Sequence, residues 1–220
     1  MHKYIGSVLI LAATILLSVL QSCRSGTDNL SPTPDEDYLN LPSDTGDSFF
    51  AKRFYSDTLD IPDEIEDDIT SISVSYLGFD GSLHSGTLDI SIELADEAGK
   101  IFDELLDLGF PVEKIRTMDN YGWSDSLSMA DNNTSCFNYR KVKGEVYLSL
   151  HAFGKAIDIN PMQNPYIKRN GREPQNSVYD TVAKGTITEG SDVVRIFKKY
   201  GWSWGGNWKY SKDYQHFYKN

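Results

Sequence analysis

The sequence predicts an α+β fold, in which one domain packs a small antiparallel sheet against helices. Three observations support this. Segments with alternating apolar residues open the domain, and two segments with helical apolar spacing lie far apart in the chain. Strands and helices are mixed without a regular βα repeat, which argues against a parallel α/β sheet.

The first elements are two strands followed by a helix. Residues 71–76 (SISVSY) and 88–92 (LDISI) alternate apolar and polar side chains, and residues 79–81 (FDG) form a turn before the second strand. Apolar residues in 95–108 recur at helical spacing, and Gly109 lies just past the predicted helix end.

Further along, three short apolar runs are predicted as strands: 112–118, 145–148 and 156–159. Residues 119–140 are read as a loop. A second helix is predicted to begin at Ser191 or Asp192, whose side chains suit an N-cap, and to end before Gly201.

The N-terminus has the pattern of an export signal. The apolar run 5–20 is shorter than the about 20 residues that span a bilayer, so residues 1–22 are predicted as a signal peptide. The alternative is a transmembrane anchor. The run ends in Leu-Gln-Ser-Cys, which resembles the lipobox of bacterial lipoproteins and implies that Cys23 is lipidated; a plain signal peptide with a free cysteine is the other alternative.

The composition changes after Cys23. Residues 23–48 are rich in Ser, Pro, Asp and Gly, and such a segment buries too little apolar surface to offset its ordering entropy, so it is predicted to be a flexible tether. Residues 49–220 remain for the domain. The net charge of −11 argues against a nucleic-acid partner. We expect a monomeric exported lipoprotein, held at the membrane of the bacterial cell envelope by its lipid anchor.

A possible zinc site combines two separated parts of the chain. His151 and Asp158 are residue types that bind zinc, and His216 supplies a third ligand. Two nitrogens and one oxygen leave one position of a tetrahedron for water, as a catalytic zinc site requires. Asp213 lies three residues before His216, so its carboxylate is expected beside the metal, where it can accept and return a proton. Taken alone, Asp213 also fits an ordinary surface residue.

These residues belong to two motifs that resemble the zinc peptidases of bacterial cell-wall metabolism. The superfamily includes D-alanyl-D-alanine carboxypeptidases and L-alanyl-D-glutamate endopeptidases. The motifs are Ser149-x-His151-x-x-Gly154-x-Ala156-x-Asp158, and then Trp204-Gly205-Gly206-x-Trp208 followed by Asp213-x-x-His216-Phe217. Residues 128–140 resemble a lipoprotein-type branch of this family. The resemblance implies the fold shared with the signalling domain of Hedgehog proteins, a Zn²⁺ ion held by His151, Asp158 and His216, and Asp213 as general base.

Four further residues are candidates for substrate contacts. Arg140 is a candidate to bind the substrate's carboxylate or the developing oxyanion through its two-pronged guanidinium, and Arg116 is its competitor, because relatives carry an important arginine on such a strand. Either arginine also fits a surface salt bridge. Ser149 is expected to contact substrate or to brace His151. Trp208 is expected to form a wall of the cleft.

Three functions remain open at this point. The first is a peptidase that hydrolyses peptidoglycan stem peptides by zinc-activated water, at either the terminal D-Ala-D-Ala bond or the L-Ala-D-Glu bond. Carboxypeptidase members usually carry Glu where Asp213 stands, so the aspartate is closer to the endopeptidase branch. The second is a catalytically inactive, Hedgehog-like binding module that retains zinc, and the third is a lipoprotein with a structural metal. Asp213 favours the first, because neither alternative needs a base beside the metal.

Overall fold

A two-stranded ribbon opens the part of the chain that the computed structural model describes, residues 60–220. The short helix α1 (Asp63–Glu66) leads into strands β1 (Ile69–Leu77) and β2 (Leu83–Ser91), which pair antiparallel with Val74 opposite Gly86. The predicted strands and their turn are confirmed, and both strands are longer than expected. The signal peptide, Cys23 and the tether lie outside the described residues.

Helix α2 (Ala95–Asp107) follows a 3₁₀ turn (Ile92–Leu94) and packs on β1. Its buried face consists of residues at helical spacing: Ala98, Ile101, Phe102 and Leu105. Gly109 adopts φ +70° just after the helix, a left-handed conformation that glycine enters without a Cβ penalty. The predicted helix 95–108 is therefore confirmed, one residue shorter at its end.

The predicted strand 112–118 is largely wrong. Only β3 (Lys114–Ile115) is extended, and it pairs parallel with β4 (Asn133–Thr134), while Met118–Tyr121 forms a 3₁₀ turn. Val112, Ile115 and Met118 are buried at a spacing of three residues, and a strand's period of two cannot place such a set on one face.

Two more expectations fail between the early strands and the candidate site. The predicted loop 119–140 contains β4 and the short helix α3 (Asp125–Ala130), which Ser124 caps by accepting a hydrogen bond from the Leu127 amide. Residues 145–148 do not form a strand. Val146 is 88 % exposed there, and Leu148 makes an isolated bridge with Lys141.

The C-terminal half supplies two small antiparallel sheets. The first has the order β5–β10–β8, and the second the order β7–β6–β9. Their strands are β5 (Ala156–Asp158), β6 (Tyr166–Lys168), β7 (Gly171–Glu173), β8 (Ser203–Trp204), β9 (Lys212–Asp213) and β10 (His216–Tyr218). The predicted strand 156–159 thus ends one residue early.

Helix α4 (Asp192–Lys199) packs against this half of the core. Ser191 is its N-cap, because its hydroxyl accepts a hydrogen bond from the Val194 amide, so the predicted helix is confirmed. The Phe197 ring stacks on Phe217 of β10 at a centroid distance of 3.8 Å. The core therefore continues under the strand that carries His216, and the α+β prediction is confirmed.

Among residues 60–220, no helix has the length and apolar character needed to cross a membrane.

Candidate metal centre

Two of the three ligand candidates face each other across a strand pair. Asp158 ends β5 and His216 begins β10, and the two residues are direct partners in the antiparallel register. Such partners project to the same side of a sheet, with Cβ atoms about 5 Å apart. His216 Nδ1 consequently lies 2.9 Å from Asp158 Oδ1. The backbone of Asp158 also exchanges two hydrogen bonds with Ser135, which fixes the strand on its other edge.

His151 reaches the same point from a 3₁₀ turn (Leu150–Phe153). Ser149 caps this turn, because its hydroxyl accepts a hydrogen bond from the His151 amide. Gly154 ends it with φ +62°, and a Cβ built there would lie 2.4 Å from the Ser91 amide nitrogen. Only glycine combines this dihedral angle with such a close approach, so the turn rests directly on β2.

The three side chains form a buried cluster of ligand atoms. His151 Nε2 lies 3.2 Å from His216 Nδ1 and 3.3 Å from Asp158 Oδ2, and the candidate ligand atoms all lie within 4.8 Å of one another. Bonds of about 2.0–2.1 Å to zinc in a tetrahedral site imply ligand separations of about 3.3 Å. The cluster fits a zinc ion, and the sequence-predicted ligands are brought together.

The ring of His151 is oriented by a carbonyl group. Its Nδ1 lies 2.6 Å from the carbonyl oxygen of Cys136, to which it donates a hydrogen bond. The proton on Nδ1 leaves the lone pair on Nε2, the nitrogen that faces the cluster. Metal-binding histidines commonly use the second ring nitrogen in this way, and the bond fixes both tautomer and ring angle.

Burial and the neighbouring charges shift the pKa values of two members of the cluster in opposite directions. Burial by itself raises the pKa of Asp158, but the charges and hydrogen bonds of His151 and His216 hold it well below its usual range. Burial lowers the pKa of His151, whereas the Asp158 carboxylate raises it more, so the net shift is upward. A metal cation that binds here meets a carboxylate that is already ionised.

Asp213 lies beside this cluster on β9. Gly205 packs between Asp213 and His216. A Cβ atom built on this glycine would lie 2.9 Å from Asp213 Cβ and 3.4 Å from His216 Cβ. Within the described part of the chain, Asp213 Oδ1 is buried without a hydrogen-bond partner. Burial raises the pKa of Asp213 to about 7; the charge of Asp158 adds to the shift and that of His216 opposes it. Such a carboxyl exchanges a proton readily near neutral pH.

The two candidate arginines lie in different places. Arg140 forms an ion pair with Asp125 at 3.2 Å, and its charge acts on His151, whose pKa it lowers. Its carbonyl oxygen accepts a hydrogen bond from the Ser149 amide. Arg116 is exposed and lines a separate cavity of about 540 Å³ whose lining includes none of the ligand candidates. Of the two arginines, Arg140 is therefore the one whose charge acts on a ligand candidate.

Trp208 forms an aromatic wall next to His216. The two ring centroids are 5.5 Å apart, and Tyr166 meets the Trp208 ring edge-on at 6.5 Å. The indole Nε1 donates to the Tyr218 hydroxyl at 3.3 Å. Trp204 differs, because it is 2 % exposed and donates to the Tyr214 carbonyl oxygen, so it belongs to the core.

Three residues near the centre were missed by sequence reasoning. Asp125 pairs with Arg140, Cys136 contributes a backbone carbonyl, and Tyr166 is the β6 partner of Asp213. Tertiary packing brings Asp125 to Arg140, and no residue type signals a carbonyl contact. Tyr166 follows only from the strand register, so none of the three carried a sequence signal.

Residues 143–219 match the model of a family described as D-alanyl-D-alanine carboxypeptidase. The matched segment contains His151, Asp158, His216 and Asp213, and begins after Arg140. It confirms the resemblance to the cell-wall zinc peptidases over this part of the chain, and it supports a metallopeptidase. No curated protein and no solved structure matches the chain significantly.

Proposed function

We propose that this protein is a zinc-dependent peptidase that hydrolyses peptidoglycan stem peptides. The observation that carries the proposal is a buried His-Asp-His cluster with a carboxylate oxygen of Asp213 beside it that has no partner among the described residues. Leaving a buried polar atom unpaired costs about 1–3 kcal/mol, and a structural metal site gains nothing from it. A peptidase does gain from it, because the unpaired carboxylate oxygen can accept a proton during the reaction.

In this proposal, His151, Asp158 and His216 hold Zn²⁺. When bound, the ion acts as a Lewis acid and lowers the pKa of water towards about 7. Asp213 accepts a proton from the attacking water, whose remaining OH group bonds to the peptide carbonyl carbon. As the C–N bond breaks, Asp213 returns the proton to the departing amine, so the products are a carboxylic acid and an amine. The pKa of Asp213, raised to about 7 by burial, suits both steps.

The neighbouring residues have supporting roles. Arg140 is proposed to bind anionic oxygen of the substrate, since its Nε is buried without a partner in the described region. Ser149 is proposed to brace His151, because its hydroxyl already accepts that residue's amide. Trp208 is proposed as a wall for the substrate chain. We also propose that lipidated Cys23 tethers the enzyme to the bacterial cell envelope.

The test pairs zinc content with product analysis. Zinc-loaded protein is incubated with purified sacculi and soluble muropeptides, and mass spectrometry distinguishes loss of terminal D-Ala from cleavage between L-Ala and D-Glu. Asp213→Asn is expected to retain zinc and to lose about 10²–10⁴-fold of the activity. Asp103→Asn, an exposed substitution on α2, is the matched control and should behave as wild type. No cleavage by zinc-loaded wild type would favour a zinc-containing binding module.

A further inference from the structure

A row of three side chains leads away from Asp213 across the sheet β7–β6–β9. Asp213 is the direct partner of Tyr166, and Tyr166 is the direct partner of Glu173, in two antiparallel registers. Direct partners project to the same face, so all three side chains share it. Neighbouring strands lie about 4.8 Å apart, which places Glu173 about 10 Å from Asp213.

Glu173 ends this row inside a small cluster of lysines. Lys143 and Lys168 each place their ammonium nitrogen 2.8 Å from the same Glu173 oxygen, Oε1. Two cations share one carboxylate, so these three side chains together carry more positive than negative charge, and Asp125 is the further anion whose charge acts on Lys143. The chain as a whole carries a net charge of −11, which makes a local positive excess unusual. The Lys143 side chain is 80 % exposed, and such a surface ion pair gains little, so it can change partners.

A cavity of about 400 Å³ lies beside the cluster. Lys143 and Glu173 line one side of it, and Met129, Met162 and Pro174 give it apolar walls. Met129 also connects the cavity to the candidate metal centre, because its sulfur accepts a hydrogen bond from Gln215, the residue before His216. The cavity thus combines an apolar wall with the Lys143–Glu173 ion pair, and the Met129–Gln215 hydrogen bond links that wall to the residue before His216.

We propose that Lys143 and Lys168 bind a free carboxylate of the stem peptide, two to three residues away from the bond that is cut. An extended peptide advances about 3.3 Å per residue, so about 10 Å corresponds to about three residues. Lysine ammonium groups form short charge-assisted hydrogen bonds to carboxylates, and the Glu173 side chain shows that this position accepts one. This inference rests on the proposed function, and it narrows the substrate to stem peptides whose internal carboxylates are not amidated.

The competing explanation is that the cluster only clamps the hairpin of β6 and β7 to the segment around Lys143. The two explanations differ in the effect of Glu173→Gln. If the cluster is only a clamp, Glu173→Gln weakens it and leaves the substrate affinity unchanged or lower. If the cluster is a carboxylate site, Glu173→Gln removes the protein's own competing carboxylate, so the affinity for the peptide increases.

The experiment compares a synthetic stem peptide with free internal carboxylates and the same peptide with those groups amidated. Losing a hydrogen bond to a charged group corresponds to about a tenfold change, so wild type should show about tenfold higher KM for the amide and a similar kcat. In Lys143→Ala/Lys168→Ala, acid and amide should become equal. Lys100→Ala on α2, also an exposed lysine, should keep the wild-type ratio.

Binding is measured separately from turnover, with zinc-loaded Asp213→Asn and both peptides in a calorimeter. The expected result is tighter binding of the acid form, lost in the double lysine variant and increased by Glu173→Gln. If wild type cleaves both peptides equally and the acid and amide bind equally, the carboxylate site is wrong and the proposed function stands. If nothing is cleaved but the acid binds selectively, the proposed function fails and the carboxylate site stands.

Discussion

Replacing Asp213 by asparagine should stabilise the metal-free protein, and increasingly so as the pH rises. Burial raises the pKa of Asp213 from 3.8 to about 7 in the folded state. Between about pH 4 and pH 7 the folded protein therefore binds a proton that the unfolded chain has lost. Stability falls with rising pH wherever the folded state binds more protons, so the folding free energy that this carboxyl costs builds up between about pH 4 and pH 7 and is fully present above about pH 7. Asparagine cannot ionise and avoids that cost.

The size of the effect follows from the shift. A pKa that moves from 3.8 to about 7 has moved by about three units, and each unit corresponds to 1.36 kcal/mol, which gives at most about 4 kcal/mol. The free energy of unfolding of Asp213→Asn minus that of wild type should be smallest near pH 4 and should approach this value by about pH 8.

The assay is denaturant unfolding of chelator-treated protein across this pH range. His151, whose pKa is raised by Asp158, also loses stabilising charge as the pH rises, but it does so in both proteins and so largely cancels in the difference. Asp103→Asn is the control for removing an exposed carboxylate. Adding zinc should shrink the difference, because a nearby cation lowers the pKa of Asp213. A difference that is constant from pH 4 to pH 8 refutes the assignment of Asp213 as a carboxyl whose pKa is raised by burial.

Three other predictions concern the zinc affinity, the turn at Gly154 and the lipid anchor at Cys23. Zinc affinity should fall by about tenfold per pH unit below the raised pKa of His151, because the proton that Asp158 stabilises there must leave before zinc binds; titration with a competing chelator at several pH values measures this. Gly154→Ala should destabilise the protein by about 2–3 kcal/mol, since its Cβ meets Ser91 at a positive φ; thermal unfolding would show no loss if the turn were loose. Cys23→Ser should release the protein from the membrane fraction, and unchanged fractionation would favour an uncleaved N-terminal helix.

The sequence predicts most reliably where one local pattern determines the outcome. Helix α4 follows from its Ser191 cap and its apolar spacing, and β1 and β2 follow from alternation. The ligands were identifiable because few side-chain types bind zinc and the chain contains only four histidines. The sequence could not decide between Arg140 and Arg116, because their positions relative to the site depend on which turn packs against which strand.

The failures share a physical cause. Residues 145–148 have the composition of a strand, but a strand also needs a partner, and Leu148 pairs only with Lys141 there. The row from Asp213 through Tyr166 to Glu173 joins the β6–β7 hairpin to β9, a strand that is distant from it in sequence. Register between such strands is set by tertiary packing, so no spacing along the chain reports it.

The spacing of the first motif can now be explained by geometry. Ser149 must precede the 3₁₀ turn to cap it, His151 lies inside the turn with its Nδ1 on the Cys136 carbonyl, and Gly154 reverses the chain where it touches β2. The next strand begins two residues later at Ala156, and its third residue, Asp158, is the one that stands opposite His216. A strand one residue longer or shorter before Asp158 would turn the carboxylate to the other face of the sheet, because side chains alternate along a strand. The seven-residue separation of the first two ligands is therefore one tight turn plus an odd number of strand residues, and an insertion of a single residue between Gly154 and Asp158 should abolish zinc binding even though every ligand is still present.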